Sequence, residues 1–347
     1  MPASKPKLAL FSNRRKLLAI SAAFALLLVS ALAAIALGAY TLSMPQLYQV
    51  AAARLIGIAA APLADPLADL IVWQIRLPRV LLAALVGLAL ATAGTVFQGC
   101  FRNPLVEPYI LGVSSGAAFG AALALALPWF FLPMQLSAFL GGTLAVATAY
   151  SLAQVRGQVS VLALILSGVI IGALFTALVS ILKYLADDAA LREIVFWLMG
   201  GFYHASWRDV AIAAPFILAA FLLVWRLAWK LNILSMGDEE AQALGVPPQK
   251  YKLLFIAAAT LMTALSVAAA GVIAWVGLMM PHAARMILGP DHRFALPLAG
   301  VLGATYLIWC DTLARTLSSA EIPVGIIAAI AGAPYLLYLL RTRGKGW

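Results

Sequence analysis

The chain has 347 residues, 64% of them hydrophobic and 10% charged, with a formal net charge of +10 and a mean hydropathy of +1.01. That composition excludes a water-soluble globular domain, because most of the surface must meet something less polar than water. The basic excess sorts by segment as a topology signal and gives a nucleic-acid partner no support.

Apolar runs recur between charged or Pro/Gly punctuation, each close to the about 20 residues that cross a hydrocarbon core as a helix. They lie near residues 17–38, 77–99, 109–127, 134–155, 160–184, 208–229, 251–272, 274–288, 295–316 and 325–340. They show no period-two alternation, so helices are preferred to strands. The pattern predicts an all-α polytopic membrane protein with about ten transmembrane helices. A cytoplasmic tail over 1–16 precedes one ten-helix domain over 17–342, and 343–347 form a second cytoplasmic tail. With the amino terminus inside, the inner segments carry 16 Lys/Arg against 5 Asp/Glu and the outer ones 7 against 8, as the positive-inside rule requires.

In chain order, Lys5, Lys7, Arg14, Arg15 and Lys16 introduce the first run, which at 22 residues exceeds the roughly 7–15 of a signal-peptide core and is read as an uncleaved span. Residues 47–72 are read as an extracytoplasmic loop with an interfacial helix, since an eleventh span there would place Arg341, Arg343 and Lys345 outside. Arg76 and Arg79 then open the second run at an outer edge, where arginines serve as interfacial anchors or receive carboxylates.

The stretch FRNPLVEPYILGVSSGAAFGA (101–121) must break the helix, because Pro104 and Pro108 lack an N–H. Pro108 suits the first position of a new helix, with the Glu107 carboxylate against its positive end. Gly112, Gly116 and Gly120 recur every four residues beside Ser114 and Ser115, which marks either tight helix contact or a smooth face on a substrate path. Gly168 and Gly172 repeat the device, suggesting that spans three and five form a close inner layer.

The longest cytoplasmic connection, LNILSMGDEEAQALGVPPQK (231–250), brackets a short helix between Gly237 and Pro247. Asp238, Glu239 and Glu240 enrich its first turn, and Ala241, Leu244 and Val246 offer an apolar patch suited to a cytoplasmic partner. Asp311 and Arg315 stand i, i+4 near an outer end, where they pair with each other or face a partner.

Other chemistry is missing. No G-x-x-x-x-G-K-[ST] occurs, so the chain has no phosphate-cradling loop and is not an ATPase on its own. His204, His282 and His292 lack metal-ligand spacing, and no metal site or enzyme is expected. Lys183, Asp311 and Arg315 sit toward helix ends, which disfavours an ion-driven carrier, the rival reading. Cys100 and Cys310 are assigned to opposite membrane sides, against a disulfide.

Five segments together resemble the FecCD-type permease family, the ten-span subunits of bacterial ABC importers for ferric siderophores, haem and cobalamin. They are RLPRV through VSSGAA, FWLMGGF with Trp207, LNILSMGDEEAQALGV, GLMMPHAARMILGPDHRFALP and AEIPVGIIAAIAGAPYLLYLL. The resemblance implies a cobalamin-importer-type permease fold in the bacterial cytoplasmic membrane. It also implies a homodimer, two cytoplasmic ABC ATPase subunits that bind ATP and Mg, and one extracytoplasmic binding protein; this chain itself binds no cofactor. It maps ATPase coupling onto Asn232, Met236, Gly237, Asp238, Glu239, Glu240, Ala241, Leu244 and Gly245. Binding-protein docking falls on Arg76, Arg79 and Arg315, a gate on the loop at 157–162, and mouth elements on 191–201 and 319–325. The cargo it implies first is a ferric siderophore, then haem or cobalamin.

Overall fold

A computed structural model describes residues 13–38, 40, 42–52, 54, 66–127, 129–155, 158–318 and 320–343. In chain order the elements are α1 (Asn13–Ala36), α2 (Met44–Ala51), α3 (Pro66–Asp69), a π-helical turn (Leu70–Arg76), α4 (Leu77–Phe101), α5 (Val113–Ala126), α6 (Met134–Ala153) and a small hairpin of β1 (Gln154–Val155) and β2 (Gln158–Val159). They continue as α7 (Val161–Leu185), α8 (Asp188–Met199), α9 (Trp207–Arg226), α10 (Ala228–Leu234), α11 (Asp238–Ala243), α12 (Pro248–Ala270), α13 (Val276–Leu288), α14 (His292–Thr316) and α15 (Val324–Arg343).

Among the described residues, seven helices are long and apolar enough to cross a membrane, and the shorter apolar helices α5, α13 and α15 occupy the remaining predicted spans. The second span departs from expectation. It is one 35-residue helical rod beginning at Leu67, so residues 67–72, assigned to an extracytoplasmic loop, are its first turns. Trp73, Gln74 and Arg76 dilute the hydropathy there, but Arg76 is absorbed by carbonyl partners inside the protein. Of the proposed interfacial helix, α2 is present, begun by a Ser43–Gln46 capping box; residues 53 and 55–65 lie outside the described residues, as do parts of the 157–162 and 319–325 segments and most of both tails.

The rod ending in α4 is the axis of the bundle. Its most apolar window is 78% buried, against 11% for α1 and 22% for α7 and α9. The central helices touch backbone to backbone through small residues: a Cβ on Gly94 would strike the Gly277 carbonyl of α13, and one on Gly87 that of Gly303 in α14. In lipid, where hydrocarbon burial does not drive helices together, such close approach is what holds them. The outer helices instead present large apolar residues outward, such as Leu17, Leu32, Leu166 and Ile170.

Two breaks interrupt this bundle and satisfy each other. Residues 102–112 run as successive turns between α4 and α5, and 271–275 separate α12 from α13. The Tyr109 hydroxyl donates to the Ile273 carbonyl at 2.7 Å and accepts the Ile273 N–H at 3.3 Å. Glu107 accepts the Trp275 backbone N–H. From α4, the Gln98 amide donates to the Val106 carbonyl of one break and to the Gly277 carbonyl just past the other, at 3.2 and 3.3 Å. Irregular backbone survives at membrane depth only where protein groups replace the missing water.

The new helix starts at Val113, not at Pro108: Pro108 packs against Gly277, and Gly112 closes the turn in a left-handed conformation, φ +81°. Glu107 therefore sits not at the start of α5 but at that of α13, whose N-cap is Trp275.

Candidate functional site

The glycines predicted to line one face divide between two neighbours. Gly116 and Gly120 meet the backbone of α6 at Gly141 and Ser137, whereas Gly112 meets Gly168 and Gly172 of α7. Spans three and five do touch, with Gly168 seated on Ile110 and Leu111. Ser114 and Ser115 are half-buried at the edge of this contact, and Ser115 lies 3.3 Å from Thr176 of α7.

The 231–250 segment forms two short helices on a fixed base. In α10, the Asn232 amide donates to Asp291 at 2.8 Å, and its oxygen accepts the His292 backbone N–H at 2.8 Å, which ties α10 to the turn between α13 and α14. Burial would raise the Asp291 carboxyl, but the Arg293 guanidinium and the Asn232 amide outweigh it and hold it at about 2. At the start of α11, both Asp238 oxygens lie 2.6 Å from the Lys252 ammonium of α12. Gly237 is positive in φ at +152°, which disfavours any side chain there, and has the Glu240 carboxylate folded over it.

The end of α11 explains Gly245. The Val246 N–H returns to the Ala241 carbonyl at 2.8 Å and the Gly245 N–H to Gln242 at 2.9 Å, a Schellman closure that requires a left-handed residue, here Gly245 at φ +74°. One part of the predicted apolar patch is corrected. Ala241 and Val246 are 0% and 3% exposed and belong to the core, because this closure turns them inward. Leu244 and Met236, 58% and 60% exposed, form the outward apolar surface, with Glu239 and Glu240 exposed between them. Met236 precedes the helix, which is why a helical pattern alone does not pair it with Leu244.

The three arginines lie together at the opposite end of the bundle, turned inward. The Arg76 guanidinium donates to the Ile35 and Ala36 carbonyls, each at 2.8 Å, and Arg315 donates to Leu37 at 3.0 Å and to Ala34. These are the last carbonyls of α1, which a helix leaves unpaired and which favour cations. Arg79 bonds Asp311 at 2.8 Å and Glu321 at 3.0 Å. Asp311 also meets Arg315 at 3.3 Å without hydrogen-bond alignment, the i, i+4 pairing read from the sequence. Arg76, Arg79 and Arg315 are 3%, 5% and 7% exposed. Sequence reasoning did not find Glu321 as the second carboxylate; its signal was an acidic residue in the short turn before the last span. Cys100 and Cys310 are buried and free.

An apolar multi-helix bundle with mutually satisfied breaks and one exposed, firmly based helical knob defines a multi-pass membrane permease. The chain belongs to the FecCD transport family, whose family model matches residues 26–342, and it is an ABC importer permease that works with a separate ATPase subunit. It is 42% identical over 324 residues to the molybdate import system permease protein MolB of Haemophilus influenzae, covering 92% of this chain and 95% of that one. It is 43% identical to the cobalamin import permease BtuC of Halobacterium salinarum, over 80% of this chain and 74% of that one. The hemin transport permease HmuU of Yersinia pestis is 42% identical, over 78% and 83%. A solved structure described as an inward-facing conformation of a metal-chelate type ABC transporter matches with a TM-score of 0.82 and 38% identity, covering 93% of this chain and 98% of that one.

Proposed function

We propose that this permease carries an iron complex, with a ferric siderophore as first cargo, inward across the bacterial cytoplasmic membrane. In this reading two copies form the path, both termini face the cytoplasm, and two ATPase subunits binding ATP and Mg grip α10 and α11. One extracytoplasmic binding protein delivers cargo at the arginine end. The observation that carries the reading is the knob: Met236, Glu239, Glu240 and Leu244 are exposed, while Asn232, Asp238 and Ala241 anchor them to α12–α14. A force applied there reaches the bundle rather than dissipating in a loop, which is what coupling two conformations to nucleotide requires. The docking role of Arg76, Arg79 and Arg315 is exercised through the segments they hold, the exit of α1 and the turn before α15. Molybdate is the second reading, because the relative named for it matches over 92% of this chain.

The test is uptake by proteoliposomes holding permease, ATPase and binding protein, offered a ferric siderophore, haem, cobalamin or molybdate. ATP-dependent accumulation of the ferric siderophore above the others is expected. Accumulation by the permease alone on a proton gradient would overturn the importer reading in favour of an ion-driven carrier.

A further inference from the structure

Where α5 and α7 diverge, they leave an open groove of about 180 Å³ in which Ser114, Ser115, Thr176, Ser180 and Lys183 share the walls with apolar side chains such as Val179 and Leu198, with no carboxylate among the lining residues. The polar residues of α7 fall at 176, 180 and 183, the spacing of one helical face. Thr176 and Ser180 each donate to a carbonyl one turn back, at 2.8 and 3.0 Å, which directs their protons into the helix. The Thr176 proton being given to Gly172, Ser115, 3.3 Å from the Thr176 oxygen, is the donor of that pair. Among the described residues, the Ser114 hydroxyl and the Lys183 ammonium have neither a hydrogen bond nor an ion pair, although both are half-buried.

The groove thus offers two uncommitted donors, one of them cationic, and no negative charge. A lysine that only served the end of its helix would pair with the last carbonyls or extend toward the interface; this one borders a hydroxyl-lined cavity. The volume is below the roughly 300–1,000 Å³ of sites that enclose a whole small molecule, so the groove engages one group of a larger complex or one small anion.

We propose that this groove is an anion-accepting subsite on the cargo route, in which Lys183 and Ser114 take a carboxylate, catecholate or oxyanion oxygen of the cargo. The proposal rests on the importer reading and narrows it: the transported complex carries exposed anionic oxygen, and a cationic complex is rejected. A phospholipid headgroup shares this chemistry, and the test separates the two.

The experiment places a Thr176→Cys reporter in the full-length permease, in nanodiscs of zwitterionic lipid; the native cysteines are buried. Its rates of modification by a sulfonate-bearing and a trimethylammonium-bearing methanethiosulfonate are compared. The anionic reagent should be preferred, the preference should fall about tenfold in Lys183→Met, the low end of electrostatic focusing in a cleft, and Lys183→Arg should restore it. Molybdate or ferric citrate should slow the anionic reagent. An unchanged reagent ratio in Lys183→Met overturns the proposal, and so does protection by phosphatidylglycerol alone with none from either soluble anion. The reagent ratio is read on the permease without cargo uptake, so a failed groove leaves the importer reading intact. Loss of ATP-dependent uptake of every cargo by the unsubstituted transporter would instead remove the importer reading itself.

Discussion

The two ends of the bundle use charge in opposite ways. At the α10–α11 end, Glu239 and Glu240 are exposed beside exposed Met236 and Leu244, and only the supporting groups are paired inward. At the other end, Arg76, Arg79, Asp311 and Arg315 are nearly inaccessible and spend their bonds on one another and on the end of α1. The difference shows what each end can give a partner: the first presents side chains directly, whereas the second presents segments whose positions its side chains maintain.

The sharpest way to break this contrast is Asp311→Ala. It removes the carboxylate that two buried guanidiniums share, leaving Arg79 only Glu321 and Arg315 only the α1 carbonyls, and removing one partner of a buried ion pair typically costs about 3–5 kcal/mol. The unfolding midpoint of the detergent-purified chain should drop accordingly; a midpoint within error of the parent would show that the cluster is not structural. A smaller loss is expected from Gly94→Val, whose side chain enters the Gly277 backbone: overpacking costs roughly 1–3 kcal/mol. The same thermal measurement checks it, and Gly245→Ala is the companion, strained in φ but with open space around it. The smallest effect on stability belongs to Leu244→Asp, within about 0.5 kcal/mol because the side chain is exposed. Co-purification of the ATPase subunit should nevertheless fall. If stability falls instead and the ATPase stays bound, the two ends are not different in kind.

The sequence carried the helical class and the apolar spans because each run is long and uniformly apolar, and lipid leaves backbone few alternatives to a helix. The short helix at 238–243 was likewise visible, through its acidic first turn between Gly237 and Pro247, whereas the one at 188–199 entered only through the family resemblance, as a mouth element at 191–201. What stayed hidden required partners distant in the chain. Nothing near Tyr109 announces Ile273, 164 residues away, so Pro108 read as a helix start when it lies in a break. Arg76 and Arg315 read as surface groups because an arginine near a helix end is indistinguishable in sequence from one that caps a neighbouring helix. Met236 came with Leu244 from the family resemblance and not from the helical pattern, for a local reason: the two flank α11 from a turn and a C-cap, outside its periodicity.

The capping of α1 also bears on biogenesis. This helix is made before the spans it packs against, yet the Arg315 bonds that close its end come from a residue synthesised nearly 280 positions later. While the ribosome is still producing the central spans, the exit of α1 has only part of its final clasp. Seating of the first helix is therefore completed late, and the nascent bundle locks at that end only once the ninth span has been inserted.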